Sequence, residues 1–132
     1  MYVFVYGTLK KTYKDLNSFT KAFHTHTEWI CDTVIKGDIY LIDWYPALKL
    51  TDTHFVHGEV YKINSLSLLQ TIDEYEDALS EEAFEKLKPF TKTPCEYIRK
   101  AILINDMQCW VYEYLGEVDE STHIKTGMFE MI

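Results

Sequence analysis

Runs of β-branched and aromatic residues recur along this chain, and few strand–helix–strand units occur in succession. That pattern constrains the fold more than any other feature. Tyr2-Val3-Phe4-Val5-Tyr6 is such a run, and Gly7 stops it, so it reads as a strand ending in a turn. Trp29 to Ile35 and Asp38 to Ile42 are two more, around a Lys36-Gly37 turn. Trp44 to Leu48 reads as loop leading to a short strand, and Val56 to Ile63 as a strand interrupted by Gly58. Glu96 to Ile104 and Gln108 to Leu115 read as a strand pair joined through Asn105-Asp106. Helical spacing is confined to Lys10 to Phe23, a segment capped by Ser65 and running to about Asp77, and Ser80 to Leu87, closed before Pro89. These elements predict an α+β fold, a curled mixed sheet or small β-barrel with helices outside.

The 132 residues fit one domain, 1–132, with no repeat, low-complexity stretch or linker. A hydrophobic content of 47% is enough to fill a core. The formal charge of −8 comes from 21 acidic against 13 basic residues, and no basic run supplies a face for phosphates. Nucleic acid is therefore not an expected partner. Nor is a membrane, because no segment approaches the roughly 20 apolar residues that span a bilayer. The run from Met1 to Leu9 is too short for a signal peptide and lacks basic flanks, and Cys31, Cys95 and Cys109 have no CxxC spacing. Reduced thiols and a cytoplasmic location are the expectation.

The helix after Ser65 carries the sharpest chemical signal. At about 100° per residue, Leu68, Leu69, Ile72, Tyr75 and Leu79 fall on one apolar face. Glu74 lies opposite, Asp73 and Asp77 lie off the stripe, and Glu76 falls inside it, between Leu69 and Ile72. A carboxyl held against apolar surface is harder to ionise, so its pKa moves up toward neutrality. A general base working near neutral pH has that property. The competing reading is a frayed helix end where Glu76 pairs with a cation such as Arg99. Tyr6-Gly7-Thr8-Leu9 offers a second signal, since successive amides after a glycine turn can form an anion-binding nest, with the Thr8 hydroxyl as an added donor. An ordinary strand-ending turn is the alternative there.

Six segments in order resemble the gamma-glutamylcyclotransferase-like superfamily. They are Val5-Tyr6-Gly7-Thr8-Leu9; Gly37-Asp38-Ile39-Tyr40 together with Tyr45-Pro46-Ala47-Leu48; Val56-His57-Gly58-Glu59-Val60-Tyr61; Asp73-Glu74-Tyr75-Glu76; Tyr97-Ile98-Arg99; and Val111-Tyr112-Glu113-Tyr114. The resemblance implies a small β-barrel flanked by helices. It also implies cofactor-free cleavage of a small gamma-glutamyl substrate to 5-oxoproline, with release of an amine or amino acid. By it, Glu76 is the catalytic acid/base, Tyr6, Gly7, Thr8 and Leu9 hold the substrate's α-carboxylate, and Tyr97 and Tyr112 line the pocket. Asp77 stands where relatives commonly have glycine. Ala78 to Pro94 is longer than in compact members, which implies an added helix beside the pocket mouth. The rival reading is a non-catalytic module of the same fold that binds a small metabolite; a protein-interaction domain is a third.

Other candidates carry less. His24-x-His26 would set two imidazoles on one side of a strand, with His54 and His57 further on, but the sequence supplies no third ligand at a telling distance. No metal is expected. Cys95 is read as a buried thiol rather than a nucleophile. Glu81, Glu82, Glu85, Lys86 and Lys88 read as a solvated helix face with local ion pairs. The tail Ile124 to Phe129 is expected to pack against the barrel.

Overall fold

The structure is a computed structural model that describes residues 1–10, 18–89 and 94–129. Strand β1 (Tyr2–Val5) is central: it pairs antiparallel with β5 (Phe55–Lys62) and parallel with β8 (Met107–Tyr114). With β2 (Glu28–Lys36), β6 (Ala78–Ser80) and β7 (Tyr97–Ile104), these make a six-stranded mixed sheet of order β2-β5-β1-β8-β7-β6. A separate hairpin, β3 (Asp38–Ile42) and β4 (Tyr45–Lys49), packs against β5 and β8. Helices α1 (Ser18–His26), α2 (Leu66–Glu76) and α3 (Glu81–Lys86) complete the α+β fold. Among the described residues β2 and β6 end the sheet unpaired with each other, so the sheet stays open, with no closed barrel.

Strand alternation distributes β1 over two cores. Phe4 and Tyr6 point to one side, where they pack with Ile39 and Leu48 of the hairpin and with Val56, Val60 and Val111. Val3 and Val5 point to the other, against Phe23 of α1 and Leu69 and Ile72 of α2. Burial on both faces explains why β1 reads as one continuous apolar run. The Asn105-Asp106 turn has both residues at positive φ, the backbone of a two-residue hairpin loop whose twist matches its strands.

Several boundaries differ from the sequence reading. The left-handed φ of Asp43 completes the turn early, so Tyr45 and Pro46 lie in β4, not in a loop. Pro46 is tolerated there because β3 and β4 form only a two-stranded ladder, in which it sits opposite Leu41. The expected helix from Lys10 begins, within the described residues, at Ser18; positions 11–17, including Leu16, lie outside them. Leu79 leaves α2 and joins β6, an added strand parallel to β7. Ser80 then caps α3 by accepting a hydrogen bond from the Ala83 amide at 3.2 Å. The added helix is thus α3, and positions 90–93 of the long segment lie outside the described residues. On α3 the local pairs Lys86–Glu82 and Lys88–Glu85 form at 3.1 and 2.9 Å. The tail packs on the sheet, where the Gly127 carbonyl accepts from the His57 amide at 2.7 Å. Among the described residues no helix is long and apolar enough to cross a membrane.

Gly58 does not interrupt its strand; β5 runs straight through it. A Cβ at this position would lie 2.4 Å from Phe4 Cζ and 2.5 Å from the Val5 carbonyl oxygen. The residue is glycine because the Phe4 ring fills the space a side chain would take. Gly58→Ala should therefore destabilise the fold by about 1–3 kcal/mol, the usual cost of overpacking a filled core. Urea denaturation of the two proteins measures this.

Candidate active site

The end of β1 and the turn after it wall one side of a cavity of about 190 Å³. Phe4 to Leu9 contribute that wall, Trp44, Tyr45 and Pro46 come from the hairpin, and Tyr75 and Glu76 from the end of α2. Glu96, Tyr97 and Tyr112 complete the lining. All seven residues singled out in the sequence, Tyr6, Gly7, Thr8, Leu9, Glu76, Tyr97 and Tyr112, thus border one hollow.

Placement of Glu76 follows from how α2 is held. Ser65 caps the helix by accepting from the Leu68 amide at 3.0 Å, and Leu69 and Ile72 are fully buried. At the other end Asp77 adopts a left-handed conformation, φ 52°, and its amide closes the last turn on Asp73 and Glu74 carbonyls. Glycine suits such a position best and Asp is among the few others that tolerate it, which accounts for Asp77 standing there. The Asp77 carbonyl accepts from the Glu96 and Tyr97 amides at 2.9 and 3.2 Å. This hook fixes the helix end against the start of β7. Glu74 and Asp77 consequently face solvent while Glu76 is half-buried in the cavity wall.

Burial raises the Glu76 pKa to about 7, and the negative charges of Glu96 and Asp73 push the same way. Arg99 does not neutralise it. The Arg99 guanidinium lies 4.4 Å over the Trp110 ring and donates from Nε to Asp73 Oδ1 at 2.9 Å. Asp73 was expected off the buried stripe, yet its side chain is only 16% exposed and also accepts from the Tyr112 hydroxyl at 2.6 Å. It lies three residues before Glu76, on the neighbouring edge of one helix face, and that spacing was the available signal.

The tyrosines are walls whose hydroxyls are already engaged. Tyr6 donates to the Tyr112 carbonyl at 2.7 Å, and Tyr97 to the Pro46 carbonyl at 2.8 Å. Burial pushes the pKa of all three phenols up, so each stays protonated at neutral pH. Thr8 Oγ1 and the Tyr75 hydroxyl meet at 2.9 Å, joining the glycine turn to the end of α2. Among the described residues the amides of Gly7, Thr8 and Leu9 donate to no backbone carbonyl. Gly7 itself is needed for close packing, since a Cβ there would sit 2.7 Å from Pro46 Cγ. Sequence reasoning missed Glu96, which receives a hydrogen bond from the Tyr45 hydroxyl at 3.1 Å at the cavity edge.

The remaining candidates separate from this site. His24 and His26 lie on α1 rather than on a strand, so two residues apart they face different sides. Among the described residues His24 Nε2 is buried without a hydrogen-bond partner. Cys95 is buried, its thiol donates to the Tyr97 carbonyl at 3.2 Å, and burial pushes its pKa up, away from a thiolate nucleophile.

A family model described as gamma-glutamyl cyclotransferase, AIG2-like matches residues 3–131. The chain belongs to this family. Among solved structures it is similar to the protein ytfP from Escherichia coli, at 27% identity over 98% of this chain and 96% of that one, with a TM-score of 0.68. An aig2-like protein from Mus musculus shares the fold at 20% identity, over 98% and 87% of the two chains, with a TM-score of 0.64. A structure named gamma-glutamyl cyclotransferase aligns over 86% of this chain and 66% of its own, at 16% identity and a TM-score of 0.50. A search of the curated proteins found no match.

The raised Glu76 pKa has a consequence for stability. Its folded value, about 7, exceeds the ordinary 4.5, so the stability it contributes is fully present below about pH 4.5 and is lost as pH rises through 7. Glu76→Gln removes this loss. The variant should gain stability relative to wild type as pH rises from 4.5 to 7.5, with an upper limit of about 3 kcal/mol. Melting curves of both proteins across that range read the difference.

Proposed function

We propose that this protein, as one domain over residues 1–132, converts a gamma-glutamyl amide to 5-oxoproline and releases the amine or amino acid. The observation that carries the reading is the half-buried Glu76 carboxyl lining the same cavity as the Tyr6-to-Leu9 turn. Membership of the gamma-glutamyl cyclotransferase, AIG2-like family supports it.

The chemistry follows from what each wall offers. The amides of Gly7, Thr8 and Leu9 receive the substrate's α-carboxylate, and Tyr97 and Tyr112 shape the hollow around the glutamyl chain. Glu76, ionised near neutral pH, takes a proton from the α-ammonium. The freed amine attacks its own γ-carbonyl carbon, forming the five-membered ring and a tetrahedral centre. As the bond from that carbon to the leaving nitrogen breaks, Glu76 returns its proton to the leaving nitrogen, the ring nitrogen gives its second proton to water, and the carboxylate is restored. Nucleophile and electrophile belong to one molecule, so the protein's task is to fold the substrate into an attacking geometry. No cofactor enters this scheme. Arg99 and Tyr112 engage Asp73, and Tyr45 donates to Glu96, so these three donors are directed to carboxyls other than Glu76.

A panel of gamma-glutamyl amides, read out for 5-oxoproline, tests this. Product should form with wild type, and Glu76→Gln should lower kcat by about 100-fold or more. The rate should fall about tenfold per pH unit below pH 7, as the carboxylate that acts as base is protonated. Full turnover by Glu76→Gln removes the residue from its role. Ligand-induced stabilisation with no product from any amide would identify a binding module instead.

A further inference from the structure

One cluster of side chains outside the cavity has the donor set of a metal site. Asp38, at the start of β3, is buried, and its Oδ1 lies 2.6 Å from His54 Nδ1 and 3.0 Å from His123 Nε2. Its Oδ2 accepts from the hydroxyls of Thr51, at 2.5 Å, and Thr53. One ligand atom from each of Asp38, His54 and His123 can be chosen so that all lie within 4.8 Å of one another. The three residues come from β3, the connection between β4 and β5, and the tail beyond the 3-10 turn Glu120–Thr122, so only the folded chain brings them together. Neither His24 nor His57 belongs to the cluster.

We propose that Asp38, His54 and His123 bind a divalent cation of the zinc class. Two imidazole nitrogens and one carboxylate oxygen favour Zn2+, Co2+ or Ni2+ over Mg2+ or Ca2+, which seek oxygen shells. Three protein ligands leave a fourth position for water, and His54, whose side chain is 58% exposed, gives the ion a route in. Bonds of about 2.0–2.1 Å in a tetrahedron set neighbouring donor atoms about 3.3 Å apart. The two histidine nitrogens therefore need to withdraw from Oδ1 by less than an ångström. His54 has the freedom to do so, while His123, 8% exposed, is already confined.

The surroundings suit a ligating carboxylate. Thr51 and Thr53 hold Oδ2, which orients Oδ1 toward the histidines, as supporting hydrogen bonds do around metal ligands. Burial pushes the Asp38 pKa up, but the hydrogen bonds from Thr51, Thr53, His54 and His123 outweigh it and hold the value at about 2. On binding, the imidazole nitrogen that faces Asp38 loses its hydrogen-bonding proton and gives its lone pair to the ion, leaving the ring's proton on the other nitrogen. Two hydrogen bonds to Oδ1 are exchanged for two metal–nitrogen bonds. The ion would clip the tail to β3, beside the hydrogen bond from the Ile124 amide to the Ile39 carbonyl at 2.9 Å. None of the three ligands lines the cavity, so the site stands apart from the proposed cyclisation.

The test uses the full chain, stripped with a chelator and titrated with Co2+ and then Zn2+. One equivalent of Co2+ should bind with visible absorption bands of a nitrogen- and oxygen-ligated ion, and Zn2+ should displace it. Zn2+ should raise the melting temperature and Mg2+ should not. His54→Gln, at a side chain 58% exposed, should weaken binding about tenfold or more. His123→Gln should do the same, and His57→Gln should leave the affinity unchanged. Absence of saturable binding at millimolar Co2+, or an affinity that His54→Gln leaves intact, would overturn the proposal.

Discussion

The Asp77 carbonyl, accepting two amides from the start of β7, is the contact on which the site's geometry depends. A helix end is normally the least constrained part of a helix, because its last carbonyls lack partners within it. Here the left-handed turn at Asp77 stops α2 and aims a carbonyl at Glu96 and Tyr97. Glu76, one residue earlier, is thereby held over the sheet rather than left to fray. The same hook places Glu96 close enough to raise the pKa of Glu76, so one backbone contact sets both the position and the proton affinity of that carboxyl.

Charge in this region is sorted by geometry. Three carboxylates, Asp73, Glu76 and Glu96, lie within electrostatic reach of one another, and the Arg99 guanidinium is bonded to the first of them. Arg99 is directed to Asp73 because the Trp110 ring lies beneath its guanidinium and fixes its approach. Had the guanidinium reached Glu76, the pair would have pulled that pKa down and left a poor base at neutral pH. The structure satisfies Asp73 twice over, through Arg99 and Tyr112, and leaves the acid beside it for the cavity.

Much of this was legible in the sequence wherever a periodicity or a turn fixed it locally. The wheel put Glu76 among Leu69 and Ile72 because a helix capped at Ser65 has its faces set by the cap. The strands around Asn105-Asp106 were legible because two residues at positive φ admit few turns. What stayed hidden was non-local. Gly58 reads as a break in a strand until the Phe4 ring is seen occupying the space of its missing side chain. Asp73 reads as an acid off the buried stripe until β7 and β8 bring Arg99 and Tyr112 against it. Asp38, His54 and His123 read as three scattered polar residues, since the shortest sequence separation among them is already a whole hairpin.

The β3–β4 hairpin links the two polar centres, which explains why it carries so many of the chain's long-range polar contacts. At its turn end Tyr45 and Pro46 form cavity wall, and the Pro46 carbonyl fixes the Tyr97 hydroxyl. At its open end Asp38 gathers two threonines and two histidines. Opposite Asp38 at that open end, Lys49 donates to the Tyr114 carbonyl at 2.7 Å, and Glu113 accepts from the Leu50 amide at 2.7 Å. A two-stranded hairpin is marginal alone, so its position over the sheet must be imposed by such side-chain bonds and by the packing of Ile39 and Leu48. Gly7 then packs against Pro46 without a Cβ between them. The depth of the cavity is accordingly set by how firmly the hairpin is anchored at both ends, and the buried Asp38 knot is the anchor farther from the chemistry.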